Sequence, residues 1–188
     1  MAWGLHILAQ HPEIQERLRK EVEHLHNPTF EQIESCRYLN NVSREILRYI
    51  PPGLNLFSQL ILVSVTNRTA SVTDQINGVT VPKGTIIFIA IAAINFDETV
   101  WGPDVDSFNP DRWEKLPETV SNYSYLTFFQ GPRSCIGRRF AETEFKVLLV
   151  ALIQRLRFDE VVKGRHIEKK SMITTRPKDG MHLKVAAV

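Results

Sequence analysis

The sequence has little cysteine, no long hydrophobic run and almost no excess of charge of one sign. Its two cysteines, Cys36 and Cys135, are 99 positions apart, and one distant pair is a poor disulfide framework, so we interpret both as thiols. The longest apolar run, residues 86–94, has nine residues, whereas a membrane-spanning helix needs about 20. A formal net charge of +2 gives no indication of a polyanionic partner. The sequence therefore predicts no membrane anchor in this chain and no nucleic-acid partner.

Helical and extended patterns occupy separate parts of the chain, which predicts a mostly α protein with small β-sheets. Helices are predicted over about residues 1–50, where Pro12 suits a first helical position and Pro51 and Pro52 stop the last helix. Runs of β-branched residues divided by turn signals predict a small sheet over about residues 60–91.

The second half of the chain predicts a long irregular stretch, one long helix and a final hairpin. Residues 95–137 contain many prolines and glycines, and an irregular stretch of this length in a compact domain is usually functional. An apolar stripe predicts a deeply buried helix over about residues 138–155. A closing hairpin is predicted over about residues 172–186. At about 150 residues per domain, residues 1–188 form one domain or an incomplete part of one.

The residues around Cys135 place one cysteine between two glycines, directly before the long predicted helix. Gly131 permits a tight turn, Gly137 leaves room beside the sulfur for a flat partner, and the positive end of a helix favours a thiolate. A thiolate is both a nucleophile and a soft metal ligand. The local chemistry alone is compatible with a catalytic cysteine, a metal site, haem ligation or an inert core cysteine.

Two of these alternatives lack supporting residues nearby. A zinc site needs further cysteine or histidine at short spacing, and none lies near Cys135. A cysteine hydrolase needs a base, and all six histidines are far from Cys135 in the sequence. His24 and His26 are interpreted as loop residues rather than metal ligands.

The segment Phe128-x-x-Gly131-x-Arg133-x-Cys135-x-Gly137 decides among the remaining alternatives. It resembles the cysteine loop of the cytochrome P450 family of haem-thiolate enzymes, whose pattern is Phe-x-x-Gly-x-Arg-x-Cys-x-Gly. Every fixed position of that pattern is matched. The residues between the fixed positions look most like those of fungal members.

Two other segments resemble family motifs, and all three occur in the family's order. Glu45-Ile-Leu-Arg48 resembles the Glu-x-x-Arg helix, and residues 101–113 resemble the Pro-x-Arg meander. Asp111 and Trp113 differ from the Glu and Phe that are usual in the meander. The resemblance therefore covers nearly the whole chain and implies the C-terminal portion of the cytochrome P450 fold, incomplete as given.

The resemblance also implies a cofactor and the residues that hold it. Cys135 would be the axial ligand of a non-covalently bound haem b, and its electron-rich sulfur would favour O–O cleavage. Arg133 and Arg68 would approach the haem propionates, Phe128 would shield the sulfur from water, and Gly131 and Gly137 would shape the loop.

The implied roles of other charged residues are structural or concern a partner. Glu45 and Arg48 lie three positions apart, on one helix face, where they would hold Arg112 in a buried charge network that fixes the meander. A basic face that meets an acidic redox partner and an ordinary solvated helix surface are both compatible with the residues Arg138, Arg139 and Lys146.

The function implied by the resemblance is that of a monooxygenase. Such an enzyme inserts one oxygen atom from O2 into a small organic substrate, with electrons from an NADPH-dependent flavoprotein reductase. In a complete family chain we expect an upstream half with the distal acid–alcohol pair, and the endoplasmic reticulum membrane as its location. The alternatives are a non-catalytic remnant or haem-binding module lacking that distal half, and a family isomerase or dehydratase.

Residues 53–62 read as an insertion, because fifteen residues separate Pro52 from Arg68 where the family usually needs only a few. We hypothesise a retained intron or an imperfect gene model, and predict that the mature transcript lacks this stretch. Sequencing of the transcript across codons 50 to 70 tests the hypothesis, and a mature message that keeps the codons excludes it.

Overall fold

The computed structural model describes residues 1–52, 65–170 and 174–188. These residues form helices and small two-stranded sheets, as the mostly α prediction states. The first range consists of the helices α1 (Ala2–Gln10), α2 (Pro12–Val22), α3 (Phe30–Ser35) and α4 (Arg37–Tyr49).

Local signals explain where these helices begin and end. Pro12 is the first residue of α2, where its missing N–H has no intrahelical partner to lose. Thr29 and Gln32 form a capping box before α3: the Thr29 N–H donates to Gln32 Oε1 at 2.8 Å, and the Gln32 N–H donates to Thr29 Oγ1 at 3.4 Å. Pro51 and Pro52 follow α4 and prevent its continuation.

The region of the predicted small sheet contains two antiparallel strand pairs. Its strands are β1 (Val65–Thr69), β2 (Asp74–Ile76), β3 (Val79–Val81) and β4 (Ile86–Ala90). β1 pairs with β4, and β2 pairs with β3 through a turn at Asn77 and Gly78, both with positive φ. Residues 53–62, the predicted insertion, and residues 60–64, the start of the predicted sheet, lie outside the described residues.

The rest of the chain continues with short elements and one long helix. These are the helices α5 (Ile91–Asn95), α6 (Glu98–Trp101) and α7 (Arg138–Ile153), the 3-10 helices Pro110–Trp113 and Gly131–Arg133, and the strands β5 (Leu156–Glu160), β6 (Lys169–Lys170), β7 (Arg176–Pro177) and β8 (Leu183–Ala187).

The prediction that the last helix, residues 138–155, is deeply buried is wrong. α7 ends at Ile153, and it is buried along one side only, by residues such as Leu149. Phe140 remains 72% exposed and Leu148 46% exposed. Apolar residues occur on all sides of α7, but in the described part of the chain its buried residues lie on the side that packs against other elements, which include α1, α2, α3, α4 and β5.

In the described part of its range, residues 174–186, the predicted hairpin over residues 172–186 is not formed. β8 pairs with β5, with Val185 opposite Phe158, and β7 forms a separate two-residue pair with β6. The turn at Gly180 is present, with φ +81°, but it joins strands of two different pairs. β8 pairs with β5 over five residues, and this pairing includes the buried Phe158. β7 has only two residues and is too short for a pairing of that length. Residues 171–173 lie outside the described ranges.

One buried amide joins the N-terminal helices to the C-terminal sheet. The side chain of Gln15, on α2, donates from Nε2 to the carbonyl oxygens of Leu8 at 3.0 Å and of Phe158 at 2.9 Å. Its Oε1 accepts the Phe158 N–H at 2.9 Å. Gln15 thereby satisfies both backbone polar groups of a buried strand residue and stabilises the packing of β5 on α1 and α2.

Replacing this amide by a thioether of similar size tests its contribution. We expect Gln15→Met to lower the free energy of unfolding by about 2–3 kcal/mol, because the backbone groups of Phe158 would stay buried without partners. Urea unfolding of the whole chain measures the change. The control is Gln10→Met, since Gln10 is exposed and its loss is expected to change stability by about 0.5 kcal/mol or less. Equal effects of the two substitutions would contradict the prediction.

Candidate functional site

Cys135 lies in the short loop between the 3-10 helix Gly131–Arg133 and α7, and its side chain is exposed. Its backbone N–H donates to the Phe128 carbonyl at 2.9 Å, and its carbonyl accepts the Arg138 N–H at 3.2 Å. These bonds fix the backbone on both sides of the thiol. They leave the sulfur exposed at the N-terminal end of α7.

The two glycines of the loop serve different purposes. Gly131 has φ +79°, and a Cβ there would meet nothing within 4 Å, so the left-handed conformation alone favours glycine. A Cβ at Gly137 would lie 4.0 Å from Cys135 Sγ. A side chain at position 137 would therefore begin beside the sulfur, on the face that a flat ligand would use.

Arg68 lies far from Cys135 in the sequence, but the structure brings it to the cysteine loop. It is on β1, and its Cζ is 5.7 Å from the centroid of the Phe129 ring. Its Nη1 donates to Thr66 Oγ1 at 3.1 Å and to the Asn67 carbonyl at 2.7 Å. The guanidinium is thus held beside the loop by its own strand.

The remaining residues of the cysteine motif lie at the loop surface. Phe128 is half-buried, with the Arg138 Cζ 5.7 Å from its ring centroid. Arg133 is exposed, and no ion pair joins it to the described part of the chain. Its guanidinium is accessible to an anionic ligand.

The predicted basic face is wrong for Lys146. That residue is buried, and its Nζ contacts the Glu34 carboxylate and Asn40 Oδ1, the latter at 3.0 Å. Arg138 pairs with Glu142 on the next turn of α7. Only Arg139, among the three proposed residues, is both exposed and without an ion pair to a described residue.

A buried carboxylate joins the other two sequence motifs. Glu45 and Arg48, both on α4, are fully buried. Arg48 donates from Nε to Glu45 Oε2 at 3.0 Å and from Nη2 to Oε1 at 2.9 Å. Arg112 donates from Nε to the same Oε1 at 3.1 Å. The structure thus brings these three residues together, with two guanidinium groups around one carboxylate.

Asp104 supplies a second negative charge beside this group. Its Oδ1 accepts from Arg112 Nη1 at 2.8 Å, and its Oδ2 accepts from Asn109 Nδ2 at 2.9 Å. The hydrogen bond from Asn109, followed by the bond and charge of Arg112, lowers the pKa of Asp104. Asp104 therefore stays ionised and balances the second guanidinium.

The sequence did not indicate a role for Trp113 in this network. Its Nε1 donates to Glu45 Oε2 at 2.9 Å, a bond that a phenylalanine at this position could not make. Its ring is edge-on to those of Trp101 and Tyr125, with both centroid distances 5.4 Å. Burial raises the pKa of Tyr125. The only signal in the sequence for this role of Trp113 was that a buried Glu45 carboxylate requires hydrogen-bond donors nearby.

A sequence model of the family Cytochrome P450 matches residues 1–184. The chain belongs to the cytochrome P450 family. This P450 chain is 35% identical to Cytochrome P450 monooxygenase sphH of Aspergillus fumigatus, with 100% of the chain and 35% of the relative covered. It is 34% identical to Cytochrome P450 monooxygenase 205 of Postia placenta, covering 94% of the chain and 34% of the relative. It is 31% identical to Cytochrome P450 monooxygenase FUM15 of Gibberella moniliformis, covering 100% of the chain and 39% of the relative.

These comparisons confirm the predicted family and the similarity to fungal members. The chain spans between about a third and two fifths of the length of these relatives. Within residues 1–52, 65–170 and 174–188, the P450 chain has no helix that is long and apolar enough to cross a membrane.

Neutralising the buried carboxylate tests the charge network. We expect Glu45→Gln to lower the free energy of unfolding by about 3–5 kcal/mol, because two buried guanidinium groups would lose their shared counter-charge. Chemical denaturation of the whole chain is the measurement. Asp159→Asn is the matched control, since Asp159 and Arg157 form a half-exposed pair whose loss is expected to change stability by about 1 kcal/mol or less. If Glu45→Gln is no more destabilising than this control, the network does not hold the fold together.

Proposed function

We propose that this chain is the C-terminal, haem-binding portion of a haem-thiolate monooxygenase. The observation that carries the proposal is the exposed Cys135 thiol at the start of α7, in a loop that keeps the family's spacing of Phe128, Gly131, Arg133 and Gly137. Membership of the P450 family, and relatives that are named monooxygenases, support it.

The surroundings of Cys135 suit a non-covalently held haem b. A thiolate is a soft ligand that stabilises haem iron, and the position of Gly137 leaves no side chain beside the sulfur. Ile136 and Phe140 are exposed apolar side chains next to the thiol in sequence, and a macrocycle seated there would cover apolar surface. The sequence contains no Cys-x-x-Cys-His attachment motif.

Each residue of the site has a role in holding this cofactor. Cys135 would ligate the iron, and Phe128 would keep water from the sulfur, which preserves its donor strength. Arg133, which is exposed, and Arg68, which lies beside Phe129 of the loop, would each bind a propionate through a two-pronged contact. Gly131 and Gly137 shape the loop, while Glu45, Arg48 and Arg112 fix the meander.

When bound, the haem supplies the activation of O2 and the transfer of one oxygen atom to a small organic substrate. Electrons for the complete enzyme would come from an NADPH-dependent flavoprotein reductase. Arg139, exposed at the start of α7, is a candidate contact for an acidic patch of that partner. We place the complete enzyme at the endoplasmic reticulum membrane by analogy with the eukaryotic family.

The absorption spectrum of the purified chain with added haem, reduced under carbon monoxide, tests this proposal. We expect a red-shifted, thiolate-type Soret band from the parent chain and none from Cys135→Ser, because serine provides no thiolate. Cys36→Ser is the matched control and should keep the band, since Cys36 is buried and bonds to the Gln32 carbonyl.

Two results would overturn the proposal. If the parent chain gives no red-shifted band, this chain does not ligate haem through a thiolate. If Cys135→Ser keeps the band, a group other than Cys135 is the ligand.

A further inference from the structure

Two carbonyl groups in the last turn of α4, those of Leu47 and Arg48, lack the usual intrahelical donor for a covalent reason. In an α-helix, the carbonyl of residue i accepts the N–H of residue i+4, so Leu47 and Arg48 would accept from residues 51 and 52. Those residues are Pro51 and Pro52, which have no N–H. The preceding carbonyl, that of Ile46, does receive its bond, from the Ile50 N–H at 2.9 Å.

Two buried side chains supply the donors that the prolines cannot. The Thr127 hydroxyl donates to the Leu47 carbonyl at 3.0 Å, and Asn95 Nδ2 donates to the Arg48 carbonyl at 3.1 Å. Asn95 Nδ2 also donates to Thr127 Oγ1 at 3.3 Å, which links the two. Thr127 is 6% exposed and Asn95 0% exposed, so the two donor groups are held inside the protein beside these carbonyls.

Thr127 is the residue directly before the cysteine loop. The next residue, Phe128, presents the carbonyl that accepts the Cys135 N–H at 2.9 Å. A buried hydrogen-bonded residue therefore lies at one end of a loop in which residues 131–136, including Cys135, are exposed. Docking of Thr127 on the end of α4 fixes where the Phe128 carbonyl lies.

The same contact joins the loop to the charge network. Arg48 donates from Nη1 to the Asn95 carbonyl at 2.7 Å, while its own carbonyl accepts from the Asn95 side chain. Asn95 is thus bound to Arg48 in both directions and to Thr127 on its other side. The buried side chains of Asn95 and Thr127 therefore connect the end of α4 to the loop.

We propose that Thr127 and Asn95 are positioning residues for Cys135. They anchor the cysteine loop to the proline-terminated end of α4 and so hold the sulfur where it can ligate a metal-bearing macrocycle. This inference rests on the proposed function, because haem ligation is the property that the anchor would serve. Neither residue belongs to the motif that identifies the loop.

Substitutions at Thr127 test the anchor without altering the loop itself. Thr127→Val removes the hydroxyl at nearly constant volume, and Thr127→Ser keeps the hydroxyl and removes the methyl group. Thr119→Val is the matched control, since the Thr119 hydroxyl donates to the Val100 carbonyl at an exposed site. Hydrogen–deuterium exchange of the peptide covering residues 126–137 is measured first, in the whole haem-free chain. We expect at least about fivefold faster exchange in Thr127→Val, with parent-like exchange in the other two.

The second readout is spectroscopic. In the reduced carbon monoxide complex, we expect the ratio of the thiolate-type Soret band to the shorter-wavelength band to fall about fivefold or more in Thr127→Val. Thr127→Ser should restore the parent ratio. A parent chain without any thiolate-type band overturns the proposed function and the positioning role together, while the exchange data still decide whether the anchor exists.

Three further results would overturn the inference. One is parent-like exchange in Thr127→Val, and another is a defect as large in Thr127→Ser. The third is faster exchange with an unchanged band ratio, which would make Thr127 structural only. If circular dichroism shows that Thr127→Val does not fold, Thr127→Ala is used in its place. If neither variant folds while Thr127→Ser does, the hydroxyl stabilises the whole fold, and this result also overturns the positioning role.

Discussion

The Glu45 carboxylate has no contact with water, and the arrangement of the meander follows from that constraint. An ion in such a place is tolerated only when charged and polar donors surround it. One guanidinium donor, that of Arg48, comes from the same helix, but the other donors come from residues more than sixty positions away. Arg112, the Asn109 backbone and the Trp113 indole all point at the same two oxygens. Residues 109–113 therefore have little freedom to adopt another path across α4.

Helix boundaries and tight turns were predictable because their causes are local. Pro12, the Thr29–Gln32 capping box and the Asn77-Gly78 turn each act within four residues. The partner of a strand, in contrast, could not be predicted from local signals. The turn at Gly180 predicted a hairpin, but β8 pairs with β5, more than twenty residues earlier. Periodicity likewise revealed that α7 is apolar without showing that, in the described part of the chain, it is buried along one side only.

In the candidate site, too, relations between nearby residues were predictable and relations between distant residues were not. Spacing placed Glu45 and Arg48 on one face, and the loop pattern singled out Cys135, because those relations lie within a few residues. Lys146 was misjudged, since its partners are on α3 and α4, over a hundred positions away. Thr127 and Asn95 were missed for a related reason: each bonds to a backbone carbonyl, which every residue carries. The pair Pro51-Pro52 did hold a usable signal, because it creates two carbonyls that need side-chain donors.

The amide of Gln15 spans a very long stretch of chain, since it bonds to Phe158, 143 residues later. During synthesis, α1 and α2 leave the ribosome well before β5 does. Until Phe158 emerges, the side of α1 and α2 that packs on β5 stays uncovered, and closing so long a loop is slow. The first two helices of this chain are thus made early, but the contacts that bury their β5-facing side form late.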